Sequence, residues 1–367
     1  MNAAKKIALL YGARPNYMKV FPLWREMKAP GSVLRPLLIH TGQHYDASMS
    51  DVFFRNLAMD PPDHALGVGA GSHAAQTGRI MQALEPVLGR ERPAALVVVG
   101  DVNSTMAGAL VAVKMGIPVA HVEAGLRSGD RAMPEEINRV VTDAVADCLL
   151  ASCRDAVDNL RREGIPEERI HFVGNVMMDS LEAALPRLPE SKIVETLGLA
   201  PRAYVLVTLH RPSNVDDPGP LRAILGALEA LSADRPVVFP VHPRTRKVME
   251  SNGVAPARAG FRCLDPLGYL DFLRLETEAG LVVTDSGGIQ EETSYLGIPC
   301  LTLRENTERP VTITAGTNRL VPPRGGRLLE EARRALAQPP GPRPRIEGWD
   351  GRAASRIIPV LQGLVTA

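Results

Sequence analysis

The chain has 367 residues, which at about 150 residues per domain divides most naturally into two domains and excludes a single small module. Its 42 Lys+Arg against 41 Asp+Glu leave a net charge of +1, so there is no basic excess to neutralise a phosphate backbone, and nucleic acid is excluded as an expected partner. With 45% hydrophobic, 23% charged and only 4% aromatic residues the composition is globular, the core must be aliphatic, and disorder along the whole chain is excluded.

The first apolar run follows Lys5 and Lys6 and is broken by Gly12, Arg14 and Pro15, too soon for a signal segment. No stretch approaches the roughly 18 apolar residues of a membrane helix, so a cytoplasmic protein without a membrane partner is expected. Cys148, Cys153, Cys263 and Cys300 show no paired CxxC spacing and the histidines no HExxH pair, so neither a disulfide framework nor a metal site is expected.

In chain order, the first half predicts strands at Ile7 to Tyr11, Leu37 to His40, Ala95 to Gly100, Pro118 to Val122, Cys148 to Ser152 and Ile170 to Val173. Helices are predicted between them, notably His73 to Leu88 and Thr105 to Met115. Short apolar strands alternating with helices predict a parallel sheet covered on both faces. The pattern pauses from about Ala184 to Arg202, a stretch holding Pro186, Pro189 and Pro201. It resumes with strands at Tyr204 to Leu209, Val237 to Val241, Phe261 to Leu264, Leu281 to Thr284 and Pro299 to Leu303, and helices at Leu221 to Leu231 and Tyr269 to Glu278. IALLYGARP from Ile7 and YVLVTLHRP from Tyr204 echo each other, each a strand running into Arg-Pro. The expected architecture is α/β, with two Rossmann-like doubly wound domains, 1–185 and 203–350, facing a cleft at the carboxyl ends of their sheets. A last helix within 351–367, Ala353 to Leu364, is expected to cross back to the first domain.

The richest segment is LVVTDSGGIQEETSYLGIP, Leu281 to Pro299. A strand ends at Thr284, Ser286, Gly287 and Gly288 make the turn, and a helix is predicted from about Ile289. Glycines and the exposed N–H groups of a helix start form a phosphate cradle, and Glu291 and Glu292, one turn on, are placed to accept ribose hydroxyls. An ordinary capping box from Ser286 would need Glu or Gln at the position held by Ile289. In VVVGDVNST, Asp101 directly follows a buried strand; Asn103 and Ser104 suffice to cap the next helix, leaving Asp101 for function. In HVEAGLRSGDRAMPEEINR, the helix dipole accounts for one of Glu135 and Glu136 after Pro134, but not for Glu123 at the end of an apolar strand. Asp101, Glu123 and Glu135 thus form a candidate acid/base cluster, because carboxylates that repel one another can be tuned toward neutrality. Arg14, Lys19, His210, Arg211, His242 and Arg309 recur at matching strand ends in both halves, which favours a diphosphate ligand. His44 of TGQHYD also follows a strand.

GARPNYMKVFPL, TGQHYD, VVGDVNST, HVEAGLRSGD, PEEINR, HRPSN, VHPRTR, TDSGGIQEE and TERP occur in the order, and near the spacing, of the non-hydrolysing UDP-N-acetylglucosamine 2-epimerases. The chain resembles that family from about Lys6 to Val321. The resemblance implies the glycosyltransferase-B fold, similar to glycogen phosphorylase, and a homodimer making cell-surface polysaccharide precursors. It implies that Arg14, Lys19, Asp101, Glu123, Glu135 and His210 are catalytic and that Phe272, Ser286, Gly287, Gly288, Glu292 and Arg309 contact uridine diphosphate. Two departures stand out. The family's usual HRREN reads His210-Arg211-Pro212-Ser213-Asn214, and TGQH runs into Tyr45 and Asp46; family members that bind an activator UDP-GlcNAc use these regions, Gln43 and His44 among them.

The implied reaction interconverts UDP-GlcNAc and UDP-ManNAc by elimination and re-addition of UDP through 2-acetamidoglucal. Gly12-Ala13-Arg14 lacks the GxGxxG of a nicotinamide site, so no redox cofactor is expected, and no metal. The alternatives are epimerisation of a modified sugar such as a diacetamido uronic acid, hydrolytic epimerisation, a glycosyltransferase on the same fold, and a sugar-nucleotide sensor.

Overall fold

The computed structural model describes residues 4–43, 59–323, 326–338 and 341–366; the Arg14 side chain and His44, like the rest of TGQHYD beyond Gln43, lie outside the described residues. The chain divides into two compact units, Met1–Ala184 with Glu347–Ala367, and Leu185–Ile346.

The first unit is built on seven parallel strands: β1 (Lys5–Tyr11), β2 (Leu34–His40), β3 (His64–Ala65), β4 (Ala95–Val99), β5 (Val119–Ala124), β6 (Cys148–Ala151) and β7 (Ile170–Phe172). Their order is β3-β2-β1-β4-β5-β6-β7. Every residue of β4, Ala-Leu-Val-Val-Val, is buried, as expected of a central strand with helices on both faces. The second unit carries β8 (Val205–Thr208), β9 (Val237–Pro240), β10 (Phe261–Leu264), β11 (Leu281–Thr284), β12 (Cys300–Thr302) and β13 (Asn318–Leu320), in the order β10-β9-β8-β11-β12-β13. Alternate residues of β8 serve opposite layers. Val205 and Val207 join a cluster with Leu225, Phe239 and Val283, whereas Leu206 packs with Tyr204, Val238 and Val282.

Both sheets follow one doubly wound plan. The strand order reverses between β1 and β4 in the first unit and between β8 and β11 in the second. A chain that winds outward in two directions leaves a crevice at the carboxyl ends of those two strands, the usual ligand position in open α/β sheets.

Three local expectations change. The helix predicted from Thr105 begins at Asn103 with Val102 as its uncapped N-cap, so neither Asn103 nor Ser104 caps it. The helix predicted near Ile289 begins at Gly287 and runs to Leu296. Glu123 lies inside β5 rather than after it, at the point where the register with β6 shifts between Val122 and Ala124. The C-terminal helix Ala353–Leu364 belongs to the first unit, and side chains distant in sequence fix it there. The Asp179 carboxylate accepts from the N–H groups of Ala353 and Ala354 at 3.0 and 2.8 Å, and Arg356 Nε donates to the Val173 carbonyl at 2.6 Å. Among the described residues no helix is long and apolar enough to cross a membrane.

Candidate active site

At the first switch point, β1 ends in Gly12-Ala13 and the helix Arg14–Lys28 follows. Asn16 ties this loop to the next strand: its Oδ1 accepts from the N–H groups of Gly12 and Ala13 at 3.3 and 3.0 Å, and its Nδ2 donates to the Val99 carbonyl at 3.3 Å. Gly12 is required by contact, since a Cβ there would lie 2.2 Å from Thr41 Oγ1 and 2.3 Å from Ser104 Oγ. Three residues beyond Asn16, on the same helix face, Lys19 is 4% exposed and forms an ion pair with Glu123.

Glu123 is 7% exposed and adopts φ +72°, a left-handed backbone that costs a residue with a Cβ about 1–2 kcal/mol. The bulge in β5 produces this conformation and re-aims the side chain away from the regular pleat. Neighbours brace it on both sides. His121, fully buried, is wedged between Asp143 Oδ1, 2.6 Å from its Nδ1, and the Gly100 carbonyl, 2.7 Å from its Nε2. Asp143 also accepts from the Gly125 N–H at 3.0 Å and pairs with Arg127 at 2.8 Å. Burial alone would raise the Asp143 pKa, but His121 and Arg127 hold it below the usual carboxylate range. Thus the backbone before Asp101 and after Glu123 hangs on one buried His-Asp pair.

Asp101 lies two residues past the end of β4. Its Oδ2 accepts from Arg139 Nη2 and Nε at 2.7 and 3.1 Å, and its backbone carbonyl accepts from Asn138 Nδ2 at 2.8 Å. Both partners come from the helix Pro134–Val145. The same helix settles which glutamate of its first turn is structural. Glu136 is buried, accepts from Ser128 and Gly129 N–H at 3.0 and 2.8 Å, and pairs with Arg139 at 2.5 Å. Those donors outweigh the opposing effect of burial and lower its pKa. Glu135, beside it, is half-buried and outside this network. Asp101 and Glu123 therefore lie at the carboxyl ends of β4 and β5, and Glu135 in the first turn of the helix that follows β5.

Gln43 is already occupied. Its Oε1 accepts from the N–H and hydroxyl of Ser104 at 3.0 and 2.7 Å, stitching the loop after β2 to the helix Asn103–Lys114.

At the second switch point the organising residue is Asp285, which sequence reasoning passed over. It is 0% exposed, directly after β11, and its carboxylate gathers the chain leaving β8. It accepts from the N–H groups of His210 and Arg211 at 3.1 and 2.9 Å and from Asn214 Nδ2 at 3.1 Å, and its Oδ1 is 3.0 Å from His210 Nδ1. Burial opposes the charge, yet these donors, led by His210, keep its pKa below the usual range. With Nδ1 against Asp285, the half-exposed His210 is held by its inner ring nitrogen, and Nε2 is the other one. Arg211 Nε donates to the Asp285 carbonyl at 3.0 Å, and the exposed His242 caps the helix Pro243–Ser251 by accepting from Arg244 N–H at 3.2 Å. The signal for Asp285 was the one that singled out Asp101, an acidic residue immediately following an apolar strand.

Asp285 also produces an acid-side stability term. Its folded-state pKa is depressed below the ordinary value of about 3.9, so its contribution is fully present above that pH and is lost as pH falls through the folded-state value. Urea unfolding of the wild type is therefore expected to weaken more steeply below about pH 4 than that of Asp285→Asn. Parallel acid limbs in the two proteins would refute this.

Ser286 is the N-cap of the helix Gly287–Leu296, and its side chain makes no capping bond. Ser286, Gly287 and Gly288 are half-buried, leaving the helix start accessible to an anion. Arg309 is more enclosed than its expected diphosphate role suggests. It is buried, pairs with Glu291 at 2.9 Å and with Glu308, and lies so near Gly287 that a Cβ there would be 2.6 Å from Nη1. Glu291 is thereby paired with Arg309. Phe272 is half-buried on the helix Tyr269–Glu278. Among the described residues no three His, Cys, Asp or Glu side chains gather as a metal site.

Known proteins carry the same organisation. The profile of the UDP-N-acetylglucosamine 2-epimerase family matches residues 29–362. The UDP-2,3-diacetamido-2,3-dideoxy-D-glucuronate 2-epimerase of Pseudomonas aeruginosa is 41% identical over 98% of this chain and 100% of its own length. The UDP-N-acetylglucosamine 2-epimerase of Methanococcus maripaludis is also 41% identical, over 85% of this chain and 87% of its own. The crystal structure of the Methanocaldococcus jannaschii UDP-GlcNAc 2-epimerase with UDP-GlcNAc and UDP superposes with a TM-score of 0.90 at 38% identity, covering 98% of this chain and 99% of that one. The paired doubly wound sheets, of the glycosyltransferase-B type, and the match along nearly the whole chain lead to one assignment: the chain belongs to the UDP-N-acetylglucosamine 2-epimerase family.

Proposed function

We propose that the chain is a non-hydrolysing 2-epimerase of a UDP-linked 2-acetamido sugar, interconverting UDP-GlcNAc and UDP-ManNAc. The reading rests on the carboxylates Asp101 and Glu123 at the carboxyl ends of β4 and β5 and Glu135 in the helix that follows, the first two oriented by Arg139 and Lys19. The C2 proton is weakly acidic because no carbonyl adjoins it in the ring, so departure of UDP must share the work. A carboxylate takes the C2 proton, the C1–O bond breaks with its electron pair going to the diphosphate, and 2-acetamidoglucal forms. Re-addition of UDP at C1 with protonation of C2 from the opposite face gives the epimer. Arg14, Arg211, Arg309, His242 and the Ser286 to Gly288 helix start stabilise the diphosphate, His210 exchanges its proton, and Phe272 and Glu292 take the uridine. No step needs a redox cofactor or a metal.

A second reading, epimerisation of a UDP-diacetamido uronic acid, is favoured by the 41% identity to the Pseudomonas enzyme over its full length. We further infer a cytoplasmic homodimer that supplies cell-surface polysaccharide precursors, which sedimentation of the purified chain tests in part. The experiment on function is incubation with each UDP-sugar in D2O, followed by NMR. Deuterium at C2 of a UDP-ManNAc product supports the first reading, and turnover of the diacetamido uronate alone supports the second. Free ManNAc means hydrolysis, and unchanged spectra with both sugars overturn the epimerase assignment.

A further inference from the structure

Gly287 and Gly288 have no side chains to fix the helix start, and Ser286 makes no capping bond with its own. The Ser286 backbone is held instead at both of its polar groups. Its N–H donates to Thr284 Oγ1 at 3.0 Å, and its carbonyl accepts from Gln290 Nε2 at 3.2 Å. Gln290 is 0% exposed, and its Oε1 accepts from the Thr307 hydroxyl at 2.7 Å and from Asn318 Nδ2 at 3.1 Å. The orientation of this amide follows from chemistry: the Ser286 carbonyl can only accept, so Nε2 must face it, and Oε1 is left for the two donors. Thr307 Oγ1, its proton given to Gln290, accepts in turn from the Arg309 N–H at 3.1 Å. A continuous run of hydrogen bonds therefore joins the Ser286 carbonyl to the Arg309 backbone, two segments separated in sequence by β12. Asn318 braces the middle of the run, its Oδ1 accepting from Thr302 Oγ1 at 2.6 Å.

We propose that Gln290, acting through Thr307, is a positioning residue for the diphosphate: it holds the Ser286 to Gly288 helix start and the backbone of Arg309 in one fixed arrangement. Donors aimed before the anion arrives need no rearrangement to meet it, which is the advantage of a preorganised site. A side chain that merely filled the space at this position would be apolar, because Leu or Met packs there without desolvating an amide. A fully bonded polar run, by contrast, fixes one geometry among its members. The inference rests on the reading of this helix start and Arg309 as the diphosphate site, and the test separates the two.

Calorimetric titration of the full chain with UDP, and with uridine by displacement of UDP, examines the site reading first: wild-type protein is expected to prefer UDP by on the order of a hundredfold. No preference in the wild type overturns the diphosphate reading itself. Given a preference, Thr307→Val, which keeps the shape but removes the hydroxyl between Gln290 and Arg309, is expected to lose on the order of tenfold in UDP affinity with uridine affinity unchanged. Thr307→Ser, which keeps the hydroxyl, is expected to stay within about twofold of the wild type for both ligands. Gln290→Met is expected to lose at least as much UDP affinity as Thr307→Val, and adding Thr307→Val to it should cost nothing more, because both side chains act through one run of bonds. Equal losses for UDP and uridine, wild-type UDP affinity in Thr307→Val, a Ser variant as weak as the Val variant, or losses that multiply in the double variant would each overturn the proposal. Gln290→Met removes an acceptor from the buried Asn318 amide, and the Thr307 pair decides the matter even if that variant does not fold.

Discussion

Asp101→Asn is expected to lower epimerisation by about 10²- to 10⁴-fold, the range for removing a proton-transferring carboxylate, which is the role proposed for Asp101. Asparagine has nearly the same shape and can keep an oxygen toward Arg139 Nη2 and Nε, which lie 2.7 and 3.1 Å from Asp101 Oδ2. The loop carbonyl that accepts from Asn138 Nδ2 at 2.8 Å is untouched, so the backbone has no reason to move. The loss therefore belongs to kcat. Binding of UDP, proposed for residues of the second unit, is expected to stay at the wild-type value. The readout is deuterium at C2 in D2O, because it counts proton exchange even when no net epimer accumulates. Glu135→Gln is the companion measurement: Glu135 lies outside the Arg139 network, and a loss as large as that of Asp101→Asn marks it as the partner acid in the reverse direction. Full turnover of Asp101→Asn would remove Asp101 from the mechanism.

The central strands were legible in the sequence because a strand buried on both faces is written as an unbroken apolar run, as in Ala95–Val99 and Leu281–Thr284. The edges were not. β3 is only His64–Ala65 and β13 is Asn-Arg-Leu, short and partly polar because one side of each faces no further strand in its sheet. The site was legible as residue types at strand ends, but pairing was invisible. Nothing local in TDSGG says that Asp285 will gather the N–H groups of His210 and Arg211 from 75 and 74 residues away. Nor does TERP announce that Arg309 will be enclosed by Glu291 and Glu308. Glu136 and Glu135 are adjacent in sequence and differ in surroundings because the helix turns Glu136 toward Arg139 and the Ser128 loop. Long-range hydrogen bonding decides which charged residue is scaffold, and periodicity carries no record of it.

Lys19→Met is expected to damage stability and catalysis together, by about 3–5 kcal/mol of unfolding free energy and by a large loss of kcat. Lys19 and Glu123 are 4% and 7% exposed, so removing the cation leaves a carboxylate that solvent cannot compensate. The position is unusually sensitive because Glu123 is held at φ +72°, and the ion pair is one of the contacts that over-determine this strained backbone. Two further variants separate the effects. Adding Glu123→Gln to Lys19→Met removes the uncompensated charge and should restore most of the stability, but none of the turnover, if Glu123 is a member of the acid/base set. Glu123→Gly relieves the left-handed strain, about 1–2 kcal/mol, and offsets part of the loss from the missing pair; it too should be inactive. Chemical denaturation with parallel C2 exchange measures both quantities on the same preparations. If the double variant recovered turnover along with stability, Glu123 would be a structural counterion to Lys19, and the β5 bulge would have no catalytic purpose. If turnover stays absent while the fold recovers, the strain in β5 is the cost of aiming a carboxylate at the substrate, since regular strand geometry would have turned that side chain toward the opposite face of the sheet.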